Sequence, residues 1–114
     1  MTVTIWHNPR CSKSRATLAL VEAKGITPEV RLYLEDAPRL DELRDVLGLL
    51  GIGADQLVRR NEAAFKDAGL TKTSSNEDIL AAMAANPKLI ERPIVFADGK
   101  AAIGRPPEAV LEIL

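Results

Sequence analysis

Residues 2–33 read TVTIWHNPRCSKSRATLALVEAKGITPEVRLY, and the order of patterns in this stretch decides the fold. Thr2-Val3-Thr4-Ile5-Trp6 alternates polar and apolar side chains and is rich in β-branched residues, which predicts a strand. Ser12 to Lys24 contains neither proline nor glycine and stops at Gly25, the residue type that most readily takes the left-handed turn closing a helix. Glu29-Val30-Arg31-Leu32-Tyr33 predicts a second strand. Strand, helix and strand in this order imply a right-handed crossover and a parallel strand pair.

The pattern changes on the C-terminal side. Leu40, Leu43, Val46, Leu47 and Leu50 recur at helical spacing, and Asp41 and Glu42 fall in the first turn, where carboxylates complement the helix dipole. From Gly51 to Pro87 short helices fit better than strands: about 55–58, 62–68 (closed by Gly69) and 77–85. Ser74 with Glu77, or Ser75 with Asp78, offers a capping box for the last. Pro93-Ile94-Val95-Phe96 and Ala101-Ala102-Ile103 flank Ala97-Asp98-Gly99-Lys100, and an Asp-Gly pair between apolar runs predicts a hairpin. Pro106 and Pro107 open a terminal helix with Val110, Leu111 and Leu114 on one face. The expected fold is therefore α/β: a four-stranded mixed sheet, βαβ then ββα. Residues 1–114 form a single domain with a helical insertion at about 39–87, between strands two and three.

Composition narrows the function. The chain has 114 residues, 46% of them hydrophobic, and a net charge of −1. Such a chain builds one modest core. The charge balance argues against a nucleic-acid surface, and no apolar run reaches the ~20 residues of a membrane span. Because Thr2 to Trp6 already reads as a strand, no secretory leader is expected. One cysteine and no disulfide framework suit a reducing cytoplasm. Cys11 and His7, the only cysteine and histidine, cannot supply a tetrahedral N/S metal set, so no metal is expected.

Cys11 lies where the first strand gives way to the first helix, within His7-Asn8-Pro9-Arg10-Cys11-Ser12-Lys13-Ser14-Arg15. Its neighbours are polar and cationic, unlike those of a structural core thiol. At a helix N-terminus, backbone N–H groups and the dipole favour the thiolate, the reactive form. His7, at the strand end, can approach the thiol. Arg15, one turn beyond, is expected with Ser12 and Ser14 to bind an oxyanion held over the sulfur, which the amides of residues 12 to 15 face. Arg10, Lys13 and Arg60 read as solvated charges. A Cys-x5-Arg phosphate loop would require arginine where Thr17 stands. Ser14 turns a Cys-x-x-Cys dithiol into Cys-x-x-Ser, so a second thiol must come from another molecule. Arg92 and Arg105 bracket the predicted hairpin. If Pro93 lies beside the Cys11 loop, both can point at one oxyanion, which arginine recognises through its planar fork.

These residues resemble the glutaredoxin-coupled arsenate reductase family over essentially the whole chain. His7-Asn8-Pro9-Arg10-Cys11 with Arg15 resembles its His-x3-Cys-x3-Arg motif. Leu57-Val58-Arg59-Arg60-Asn61, Glu91-Arg92-Pro93-Ile94-Val95 and Ile103-Gly104-Arg105-Pro106-Pro107-Glu108 resemble its three arginine segments, in the same order. The resemblance implies a thioredoxin-like fold with Cys11 as nucleophile and His7 favouring the thiolate. It also implies that Arg59, Arg92 and Arg105 bind the arsenate oxyanion. Glutathione would act as co-substrate, with no bound cofactor, and glutaredoxin as the thiol partner. The proline opening strand three of a thioredoxin-like fold is cis and faces the cysteine, so the Arg92–Pro93 bond is expected to be cis.

Two other functions share this fold. An Spx-like regulator binds RNA polymerase without turnover, but commonly carries the Cys-x-x-Cys switch that Ser14 denies. A monothiol, glutathione-dependent reductase of another substrate would use the same cysteine.

Overall fold

The computed structural model describes residues 2–114. Its strands are β1 (Val3–Trp6), β2 (Glu29–Arg31), β3 (Ile94–Ala97) and β4 (Lys100–Ile103). Its α-helices are α1 (Ser12–Ala23), α2 (Leu40–Leu50), α3 (Ala54–Leu57), α4 (Ala63–Asp67) and α5 (Asn76–Ala85). Short 3₁₀ segments cover Pro87–Leu89 and Pro107–Ile113. The chain divides into two compact units, one comprising residues up to Asp36 together with Arg92–Leu114, the other Ala37–Glu91.

The first unit carries the sheet, in the order β2-β1-β3-β4. β1 pairs parallel with β2, Ile5 opposite Val30, and antiparallel with β3, Ile5 opposite Val95. β3 pairs antiparallel with β4. This is the thioredoxin-like arrangement, βαβ then ββα. Alternation along the strands sorts the side chains onto two faces. Val3 and Ile5 join Val95 and Ala97 in a buried cluster with Val21 of α1 and Val110 of the C-terminal segment. On the opposite face Trp6 meets Phe96, with ring centroids 5.1 Å apart. The Arg31 guanidinium lies 5.2 Å from the Trp6 ring centroid. The hairpin turn has Asp98 at φ 50° and Gly99 at φ 73°, the two positive φ values of a type I′ turn.

Two elements differ from the sequence reading. β2 ends at Arg31 rather than Tyr33. The Leu32 carbonyl accepts the amides of Glu35 and Asp36 at 3.0 and 2.9 Å, which turns the chain out of the ladder. The C-terminal segment is 3₁₀ rather than α-helical. With about three residues per turn, Val110 and Ile113 align, and these with Leu114 pack on the core in place of Leu111.

In the second unit, α2 buries Leu43 and Val46, and α5 buries Ile79, Leu80 and Met83. Ser75 caps α5, its Oγ accepting the Asp78 amide at 3.1 Å. Ser74 instead accepts the Thr71 amide. An isolated antiparallel bridge joins Val58 and Ile90, absent from the sequence reading. Among the described residues, no helix is long and apolar enough to cross a membrane.

Candidate active site

Cys11 is the N-cap of α1, in extended conformation at φ −97° and ψ 123°. The loop leading to it is closed by its own polar groups. The Cys11 amide donates to the Asn8 carbonyl at 3.0 Å, and the Asn8 Oδ1 accepts the Arg10 amide at 3.0 Å. The Arg15 amide donates to the Cys11 carbonyl as the first helical bond, at 3.0 Å. The Arg15 guanidinium folds back to donate to the Pro9 carbonyl at 2.9 Å, so its side chain ties down the loop. Ser12, the first residue of α1, is exposed.

His7 and Ser14 form a buried pair beneath this loop. His7 Nδ1 lies 2.7 Å from Ser14 Oγ, which also accepts the Asn8 amide at 3.0 Å. Ser14 therefore turns its hydroxyl inward, and the group it presents toward the sulfur is its backbone N–H. Burial, then the charge of Arg15, hold the His7 imidazole below its ordinary value of 6.5. His7 is thus neutral near pH 7, and its contact with Ser14 is one of positioning rather than charge.

The β3–β4 hairpin brings the arginines in. Arg105 Nη2 lies 3.9 Å from Cys11 Sγ, and Arg105 Nε donates to the Arg92 carbonyl at 2.9 Å. The Arg92–Pro93 bond is cis, as expected, and so is Arg105–Pro106. Pro93 is buried, and its carbonyl accepts the Gly104 amide at 2.9 Å. Partial burial alone would raise the Cys11 thiol pKa. The Ser14 amide, the Arg92 charge, the Lys13 amide and the Arg105 charge outweigh it and hold the thiol below its usual range.

Arg59 belongs to the second unit, where its Nη1 lies 3.1 Å from Glu62 Oε2. The Arg59 amide donates to the Leu89 carbonyl at 2.7 Å. Arg60 is exposed, and its Nη2 lies 3.9 Å from Asp55 Oδ2.

Two residues escape the sequence reading. A Cβ on Gly104 would lie 2.5 Å from Thr17 Oγ1 and 2.7 Å from Pro93 Cγ, so only glycine lets this loop press between α1 and Pro93. Thr17 is fully buried, with its Oγ1 donating to the Lys13 carbonyl at 2.8 Å. Ser14, Thr17 and Val21, the buried residues of α1, follow helical i, i+3, i+7 spacing. Two of the three are polar, and a search for apolar periodicity passes over them. The signal for Gly104 is its place between a strand and the Arg105-Pro106 pair.

The assembled site is a partly exposed thiol at a helix N-terminus, with two backbone N–H groups and two guanidinium charges favouring its anion. Such a group attacks an electrophile, and the same cations attract a negatively charged one. The chain matches the ArsC family over residues 6–113. It is 46% identical over 114 residues to an arsenate reductase of Neisseria meningitidis, covering 98% of this chain and 97% of that protein. It is 47% identical over 116 residues to one of Haemophilus influenzae, covering the whole of both. The structure of an arsenate reductase from Vibrio cholerae superposes with a TM-score of 0.95 at 50% identity, covering 100% of this chain and 98% of that one. With its single cysteine capping α1 and the match running nearly end to end, the chain belongs to the ArsC family.

Proposed function

We propose that the protein reduces arsenate to arsenite through Cys11, with electrons supplied by glutathione and glutaredoxin. The observation that carries the reading is Arg105 Nη2 at 3.9 Å from Cys11 Sγ, on a sulfur already favoured as thiolate. Arg105 and Arg92 hold a tetrahedral oxyanion over the sulfur at the N-terminus of α1, where the Lys13 and Ser14 amides favour the thiolate. The family motif adds Arg59 to this oxyanion set. His7 positions Ser14 and the turn, and Arg15 fixes the loop.

The Cys11 thiolate attacks arsenic(V), forming an S–As bond as one arsenate oxygen leaves as water. Glutathione adds to the same arsenic with loss of a second water. The glutaredoxin thiolate then takes the glutathione sulfur as a mixed disulfide. The electron pair of the broken S–As bond stays on arsenic, now arsenic(III). Hydrolysis releases arsenite and restores the Cys11 thiol. Two external thiols supply the two electrons, which suits a chain with one cysteine. Reduced glutathione and glutaredoxin belong to a reducing compartment such as the cytoplasm.

The test is arsenite formation from arsenate with glutathione and glutaredoxin, each omitted in turn. Turnover should require all three and vanish in Cys11→Ser. Turnover of other disulfides or oxyanions but not arsenate would replace the substrate. Binding to RNA polymerase with no turnover would replace the class.

A further inference from the structure

A cavity of about 230 Å³ lies beside the loop that ends at Cys11. One wall is loop residues His7 to Arg10, and the other is Leu32, Leu34 and Glu35 from the turn after β2. Leu32 and Leu34 are large apolar side chains left 38% and 37% exposed. Arg10 and Glu35 line the same cavity and are exposed. Their hydrogen bonds are made by the backbone: the Arg10 amide to Asn8 Oδ1, and the Glu35 amide to the Leu32 carbonyl. Among the described residues, neither charged head is ion-paired. One cation, one anion and two apolar side chains thus line a space beside the loop that leads to the nucleophile.

We propose that this cavity holds the γ-glutamyl end of glutathione, with Arg10 on its α-carboxylate, Glu35 on its α-ammonium, and Leu32 and Leu34 beneath its methylenes. The inference rests on the thiol-dependent reaction proposed above and assigns its co-substrate a place. Size limits what enters. The space is smaller than the ~300–1,000 Å³ of pockets that enclose a whole drug-sized ligand, so it takes one arm of the tripeptide. Charge selects which arm. The glycine end is a lone carboxylate, which Glu35 repels, whereas the γ-glutamyl end carries both signs side by side. The sheet order supplies the approach. β1 leads into Cys11, with β2 on one flank and β3 on the other. The thiol donor therefore comes from the β2 side while the oxyanion is held by arginines from the β3 side, and the two reactants do not compete for one surface.

S-methylglutathione, which cannot react, separates this subsite from the chemistry. Titrated into the labelled protein, it should give saturable NMR shifts at His7, Asn8, Leu32 and Leu34, and these should persist in Cys11→Ser. Arg10→Gln and Glu35→Gln, both at exposed positions, should each weaken binding about 2–5-fold, the scale of exposed charge contacts. The N-acetylated ligand, which lacks the ammonium, should lose no affinity in Glu35→Gln. Shifts confined to Pro93–Arg105, wild-type affinity in both variants, or no saturable shift would overturn the subsite. Binding as described without arsenate turnover would overturn the proposed reaction and leave the subsite standing.

Discussion

The chemistry of Cys11 is set by groups within one helical turn and one hairpin of it. Burial opposes the thiolate, while the amides of Ser14 and Lys13 and the charges of Arg92 and Arg105 favour it and prevail. Titrated by thiolate absorbance, Cys11 should ionise below the free-cysteine value of ~8.5. Removing either arginine should raise that pKa. Charge-assisted hydrogen bonds contribute about 1.5–3 kcal/mol, and 1.4 kcal/mol is about tenfold. Arg92→Ala and Arg105→Ala should therefore each lower kcat/KM for arsenate ~10–100-fold, and unchanged values for both would reduce them to surface charges. Cys11→Ser should abolish turnover and keep the native circular dichroism spectrum. Ser14 differs in kind, since its hydroxyl meets His7 and the Asn8 amide beneath the loop. Ser14→Ala strips the acceptor from that amide and should cost about 1–3 kcal/mol of stability, read from the urea midpoint.

Among the elements, the joint between α1 and the hairpin matters most. Gly104 lies where any Cβ would collide with Thr17 and the Pro93 ring. Neither neighbour is the loose end of a long side chain. Gly104→Ala must push the hairpin end away from α1, at the ~1–3 kcal/mol typical of overpacking. Because Arg105 is the next residue, the same shift should move its guanidinium from Cys11 and lower activity. A variant with a wild-type urea midpoint and full activity would show that the joint is slack. At α5, loss of the Ser75 cap in Ser75→Ala should cost ~1 kcal/mol without touching the thiol pKa.

At the scale of the whole molecule, the two shifted groups of the site, Cys11 and His7, act on stability in one direction. The folded state holds the Cys11 thiol and the His7 imidazole below their ordinary values, so the unfolded chain binds more protons in each window. Stability must then rise with pH across both. The Cys11 contribution is full above the unfolded thiol pKa and is lost as pH falls through the folded one. The His7 contribution is an acid-side loss that begins as pH falls through ~6.5. Urea midpoints should climb from pH 5 to 9, with Cys11→Ser flattening the upper part and His7→Gln the lower. The sequence alone determined the βαβ start, the Asp-Gly hairpin, the helical stretch between strands two and three, and the thiol at a helix N-terminus. All of these follow from contacts within a few residues, where alternation, helical period and turn chemistry act. The short β2, the 3₁₀ terminus, the inward Ser14 hydroxyl, the neutral His7 and the glycine-only fit at Gly104 were decided by tertiary structure. Apart from β2, which a local turn ends, each depends on packing that local pattern does not set, as does the approach of Arg105 to Cys11 across 94 positions. Local pattern can name such residues, but only the folded chain sets their distances and their burial.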